Sequence, residues 1–275
     1  MNNIVAIIQA RMGSSRLPGK VLMEICGEPM LSWVIKRAGK ATLINQIIVA
    51  TTTEASDDAI EQYCQQNHII CFRGSSADVL DRYYQAAKLY QADVIIRLTA
   101  DCPLIDPTLI DNTVAAFLDS SAEFAANRLP PPFKRTYPIG LDVEVVSMAA
   151  LERAWKESKV LYEREHVMPY IYEKKDRFKV LTLNNDVDYG DYRWTVDTQQ
   201  DLLFIQSLAK KFGCRKDFSQ PCRGEPIGRK WICLASSSIM SSISPVRFIL
   251  STTCFGRRIP WEFPILISRI CIFSI

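Results

Sequence analysis

The chain has 275 residues, 48% of them apolar and 23% charged, with a formal net charge of +3. These proportions exclude a chain too polar to fold alone and suit a globular protein with a sizeable core. The small net charge points to neither nucleic acid nor a membrane surface as partner.

The opening MNNIVAII lacks a charged segment and runs straight into a polar loop, so a strand is expected there and not a signal peptide. Residues 3–10 are apolar and rich in β-branched side chains, as in a strand buried on both faces. After a loop at 11–20, Met30, Leu31, Val34, Ile35 and Ala38 recur at helical spacing over 30–41. A strand is predicted at 46–51, a helix from Asp57 and Asp58 to about Gln66, and a strand at 68–72 with His68 inside it. Asp78 opens a helix on which Asp78 and Arg82 form an i, i+4 surface pair. Strand 93–99 follows, ending near Asp101, then a helix from Pro107 to Asp119 capped by Asp106.

The middle is less regular. Strands are predicted at 122–127, 141–146 and 177–183, and helices at 148–158, 163–174 and from about Thr198; the LPPP at 129–132 fits neither helix nor central strand. Strand and helix alternating in short periods imply an α/β fold, three-layered and Rossmann-like, with a mostly parallel central sheet. Ligands of such sheets bind beyond the carboxyl ends of strands, where the 11–20 loop and Asp101 both fall.

Residues 1–213 are expected to form one domain. Residues 214–275 differ in kind: nine Lys/Arg against three Asp/Glu, five of the nine cysteines, and no clean period. Out-of-frame sequence is the preferred reading of this tail, with a small accessory subdomain as the alternative. The four cysteines of the body lack the short paired spacing of zinc sites, and no apolar run before residue 213 is long enough to span a bilayer. A reducing, cytoplasmic setting is therefore expected.

The loop IIQARMGSSRLPGK (7–20) places Arg11, Arg16 and Lys20 among Gly13, Ser14, Ser15 and Gly19. Cations beside small residues suit a polyphosphate, because backbone N–H groups can then come close; a solvated surface loop is the alternative. It is no P-loop, since five residues separate Gly13 from Gly19 and Val21 stands where a Ser or Thr is needed. Asp101 offers a hard oxygen ligand for Mg²⁺ or else a turn residue before Pro103, and Asp197 is equally a ligand or a helix cap. Arg73, Gly74 and Ser75 end a strand and either contact a nucleotide or form a plain turn. Asp142 and Glu144 share a strand face, His166 lies in a charged helical stretch, and Arg193 either offsets phosphate charge or pairs with Asp191.

Six ordered stretches carry a resemblance: the loop extended to Leu31, FRGSSADVLDRYYQAA, RLTADCPLID, YPIGLDVEV, EREHVMPYIY and RWTVDTQQDL. Together they resemble the CMP-sugar synthetase group of cytidylyltransferases, which activates 3-deoxy-manno-octulosonate, neuraminate and related acids. The nearest branch is that of spore-coat polysaccharide synthesis. The resemblance implies a nucleotidyltransferase fold, CTP and a sugar as substrates, Mg²⁺ held by Asp101 and Asp197, and a homodimer. It implies catalytic roles for Arg11 and Lys20 on the β- and γ-phosphates, with Arg16 and Ser15 assisting. Asp142, Glu144, His166 and Arg193 are expected near the sugar. Two other readings stay open: a glycosyltransferase of related sheet, using Asp142 and Glu144 as its acidic pair, and a nucleotide-binding protein without catalysis.

Overall fold

The structure, a computed structural model, describes residues 2–130 and 133–216. The expectations for 217–275 lie outside the described residues. In chain order the elements are β1 (Ile4–Gln9), β2 (Glu24–Ile25), β3 (Glu28–Pro29), α1 (Met30–Ala38), β4 (Gln46–Thr52), α2 (Asp58–Gln66), β5 (Ile70–Gly74), α3 (Val79–Leu89) and β6 (Val94–Thr99). There follow α4 (Pro107–Asp119), β7 (Phe124–Ala126), β8 (Glu144–Ser147), α5 (Met148–Glu157), α6 (Leu161–His166), α7 (Pro169–Tyr172), β9 (Val180–Thr182) and α8 (Gln199–Lys211).

Seven strands form one sheet in the order β5-β4-β1-β6-β8-β7-β9, and β8 alone runs against the rest. Along β1 the side chains alternate between two cores: Ile4, Ala6 and Ile8 face one, Val5 and Ile7 the other. Both sets are buried, which is why this strand reads as an unbroken apolar run. The first core is covered by α1, α2, α4 and α8 through Leu31, Ile60, Ile110 and Ile205, the second by α3, α5 and α7 through Leu80, Leu151 and Ile171. The result is the three-layered α/β arrangement. From β1 the chain moves outward through β4 to β5, then returns to β6 on the other side of β1. That reversal leaves a crevice at the carboxyl ends of β1 and β6.

Several local expectations change. The helix expected over 163–174 is two, α6 and α7, because Val167 takes φ 72° and Pro169 follows. His68 sits exposed before β5 at φ 54° instead of inside the strand. Asp142 precedes β8 and is not part of it. Arg82 is no surface partner of Asp78: it is buried, and Asp78 pairs with Arg164 at 2.6 Å. The β2–β3 hairpin lacked any sequence signal, and Cys26 at its turn is disulfide-bonded to Cys214 just past α8.

The first tail residues are fastened to the body. Lys216 and Lys36 reach Glu28 of β3, each at 2.6 Å, and the Ser32 hydroxyl donates to it at 2.7 Å. Burial pushes the Glu28 carboxyl up, but these donors overcome it and hold its pKa at about 2. A depressed native pKa means that the stabilisation is complete above the unfolded value and fades as pH falls toward the native one. Glu28→Gln should therefore melt below the parent at neutral pH, with the difference vanishing by about pH 2 in a series of thermal melts.

Candidate active site

The loop after β1 is built between anchors. Ala10 N–H extends the sheet to Ala50 O (3.1 Å), and Met12 N–H donates to the buried Asp57 carboxylate (2.7 Å). Asp57 is itself held by the Thr51 and Thr52 hydroxyls and the Thr52 amide. Gly19 N–H closes the loop onto Met12 O (2.9 Å), while Leu17 and Val21 sink into the first core. Between those anchors the amides of Gly13, Ser14 and Ser15 make no hydrogen bond to other described residues. They line the cleft with Arg11 and Arg16. Unsatisfied N–H groups beside guanidinium charge favour an anion.

Lys20 follows, in a single 3-10 turn over Lys20–Leu22. Although 7% exposed, its ammonium donates to Asp101 Oδ2 (2.7 Å), Asp197 Oδ1 (2.9 Å) and Val196 O (2.7 Å), using all three protons. Burial alone would favour the neutral amine; the two carboxylates reverse that and raise its pKa. Asp197 is pushed up by burial but held below the usual carboxylate range by Lys20, Arg193 and Arg16. Arg193 pairs with Asp197, not with Asp191, and Arg16 reaches Asp197 Oδ1 at 3.0 Å.

Two acids far apart in sequence meet here for a backbone reason. Val196 N–H donates to Asp101 O (2.9 Å), so the residue before Asp197 docks on the turn after β6. The segment is also tied to Ile139, whose N–H and C=O bond Tyr192 O (2.8 Å) and Trp194 N–H (2.7 Å). On its other side Thr198 caps α8 in a capping box, with Asp201 also accepting from Asp197 N–H (2.9 Å). Gly140 lets these strands touch: its φ is 101°, and a Cβ there would stand 2.7 Å from Thr195 N. Gly140→Ala should lower unfolding free energy by about 2–4 kcal/mol in denaturant titration and misplace Asp197, abolishing turnover.

The opposite wall of the cleft comes from α3, which packs on the other face of the sheet, and from α6 packed against α3; they bring Arg82, Glu165 and His166. His166 ends α6 against the Tyr162 ring (4.7 Å). Val167 beyond it sits at φ 72°, ψ −57°, with Met168 N–H donating to His166 O (2.9 Å). A β-branched residue rarely occupies such a three-residue turn, and strain of this kind gathers where a neighbouring side chain must be aimed. Arg97 lies at the floor, paired to buried Glu144 at 2.6 Å.

Five expected contacts, Arg73, Gly74, Ser75, Asp142 and Arg193, fall outside the cleft lining, and Glu144 stays beneath it as the partner of Arg97. Arg73 turns to Asp58 (2.7 Å), Glu61 (2.8 Å) and two carbonyls, because β5 is the sheet edge and ends two strands from β1. Gly74 packs on Arg82, and Ser75 caps the turn into α3. Asp142 is occupied by Arg135 at 2.7 Å. Asp57 and Arg82 were not foreseen as site residues; a buried acid before a helix and an arginine at i, i+4 both pass for routine positions.

Asp101 and Asp197 fit a Mg²⁺ ion. Their oxygens converge on the Lys20 ammonium, and a hard pair of carboxylates would leave the other positions of such an ion to phosphate and water. Among the described residues no group of three or more His, Cys, Asp or Glu could hold a metal alone. Nor is any described helix long and apolar enough to cross a membrane.

An uncharacterised protein of Methanocaldococcus jannaschii is 40% identical over 211 residues, 76% of this chain and 84% of its own. The spore coat polysaccharide biosynthesis protein SpsF of Bacillus subtilis is 33% identical over 235 residues, 80% of this chain and 91% of its own. A solved cytidylyltransferase from Leptospira borgpetersenii superposes with TM-score 0.79 at 34% identity, covering 90% of this chain and all of that one. The cytidylyltransferase family pattern matches residues 5–218, and the chain belongs to that family.

Proposed function

We propose that the protein transfers CMP from CTP to a hydroxyl of a sugar, releasing pyrophosphate, in the making of a surface polysaccharide. The sugar oxygen attacks the α-phosphorus, the Pα–O bond to the β-phosphate breaks with its electron pair leaving on pyrophosphate, and the hydroxyl proton passes to solvent or to the released pyrophosphate. The observation that carries this reading is the Lys20 ammonium joining Asp101 to Asp197 beside a loop whose Gly13, Ser14 and Ser15 amides bond no other described residue. Such transfers depend on positioning and on charge neutralisation more than on covalent help.

In this reading the amides of Gly13, Ser14 and Ser15, with Arg11 and Arg16, hold the β- and γ-phosphates. Lys20 neutralises charge as pyrophosphate departs, and Arg193 keeps Asp197 ionised. Asp101 and Asp197 would hold Mg²⁺, which when bound supplies Lewis acidity to phosphate oxygens. Glu165 and His166 face the sugar side. The spore-coat relative's name and the motifs shared with sugar-acid-activating enzymes support a sugar acceptor. The test is a pyrophosphate-release screen across the four nucleoside triphosphates and a panel of acidic and amino sugars. Release with CTP and one sugar class supports the reading; CTP binding without release under every pairing counts against it, as does glycosyl transfer from a preformed nucleotide sugar.

A further inference from the structure

Arg82 and Arg97 both line the cleft, and they differ in one respect. Arg97 is neutralised by Glu144 at 2.6 Å and braced by Gln9 Oε1 at 3.2 Å. Arg82 is 2% exposed, and among the described residues no carboxylate lies within ion-pair distance of it. Its NH1 donates to Ser75 O (2.6 Å), and its buried Nε, like that of Arg97, has no partner among the described residues. The carboxylate that its spacing would suggest, Asp78, is taken by Arg164 at 2.6 Å. Burial lowers the Arg82 pKa, Arg11 lowers it further, and Asp57, Asp78 and Tyr83 act in the other direction. A desolvated guanidinium without a counter-charge is costly to keep.

The surroundings preserve it nonetheless. At Gly74 a Cβ would stand 2.9 Å from Arg82 Cγ and 3.3 Å from its Cβ, so that position is bare where the arginine stem passes. Arg11, Glu165 and His166 share the cleft with Arg82. A guanidinium there presents a planar fork suited to two oxygens of one oxyanion.

We propose that Arg82 is an oxyanion receptor of the cleft, its guanidinium completed by a phosphate or carboxylate oxygen of a bound substrate at the wall opposite Lys20. This rests on reading the cleft as the transfer site. The counter-charge missing from the folded chain is thereby brought by the ligand.

The test uses the full chain and the variants Arg82→Met and Arg82→Lys, with CTP, inorganic pyrophosphate and 3-deoxy-manno-octulosonate as titrants. Ligand-free Arg82→Met should melt no lower than the parent, and its affinity for at least one titrant should fall by about tenfold or more. Arg82→Lys keeps the charge without the fork and should lose severalfold. Weakening toward CTP and pyrophosphate assigns the oxygen to phosphate; weakening confined to the sugar acid assigns it to the carboxylate. Affinities within twofold of the parent for every titrant that binds overturn the proposal. So does a lower melting temperature of ligand-free Arg82→Met, which makes the residue a structural one. If the parent binds none of the three, the transfer reading fails separately and the melting comparison alone decides the role of Arg82.

Discussion

Lys20→Met should lower kcat/KM by about 10³-fold or more in the pyrophosphate-release assay while leaving the fold intact by circular dichroism. One preorganised donor to a developing charge is worth about 10²–10³ in rate, and Lys20 also holds two other groups in place. Its ammonium, itself buried, makes three hydrogen bonds, so no neighbouring side chain can replace it. Removing it also leaves the Asp101 and Asp197 carboxylates facing each other without their shared cation. A fully buried pair broken in this way costs about 3–5 kcal/mol; these acids are partly exposed, and about 1–3 kcal/mol is expected. Lys20→Arg should not rescue activity, because a planar fork cannot direct three protons at Asp101, Asp197 and Val196 O. Retained turnover in either variant would remove Lys20 from the mechanism.

The second large effect belongs to the acids. Asp101→Asn and Asp197→Asn should each lower kcat by about 10²–10³-fold. They should also raise by about tenfold or more the Mg²⁺ concentration that gives half-maximal rate. The double variant should be little worse than the poorer single one, because residues that act on one phosphate group as a unit do not add. Asp197→Asn carries a further signature. The Asp197 carboxyl is held below the usual range by Lys20, Arg193 and Arg16, so its stabilising contribution is present above the unfolded pKa and is lost as pH falls through the native one. The melting difference between parent and Asp197→Asn should accordingly be largest at neutral pH and shrink on acidification. A difference that grew on acidification would show that the charge is not stabilised where it stands.

The parallel half of the sheet was legible because both of its faces are covered. β1, β4 and β6 appear as short apolar runs, and the turns after them collect small and charged residues. Asp106 and Asp78 were legible as helix caps for a local reason, since each bonds an amide two or three residues on. The meeting of Lys20 with Asp101 and Asp197 was different in kind. It depends on Val196 docking to Asp101 O across the fold, which no periodicity reports, and only the motif resemblance pointed to it. Arg82 misled for the converse reason: i, i+4 spacing to Asp78 describes an isolated helix, whereas α6 supplies Arg164 as the competing partner. Arg73 looked like a ligand-side cation because it ends a strand, yet the strand is at the sheet edge and its acids lie on α2. Val167 is the plainest failure of pattern, as nothing in a helical period announces a left-handed residue.

Hydrogen exchange of the full chain, followed by mass spectrometry with and without CTP and Mg²⁺, addresses the polyphosphate cleft most directly. Slower exchange is expected at residues 11–20, where the amides of Gly13, Ser14 and Ser15 bond no other described residue, and at the turn after β6 and the segment ahead of α8. Exchange unchanged in all three segments, or slowed only at the β5 edge around Arg73, contradicts the assignment of CTP to this cleft.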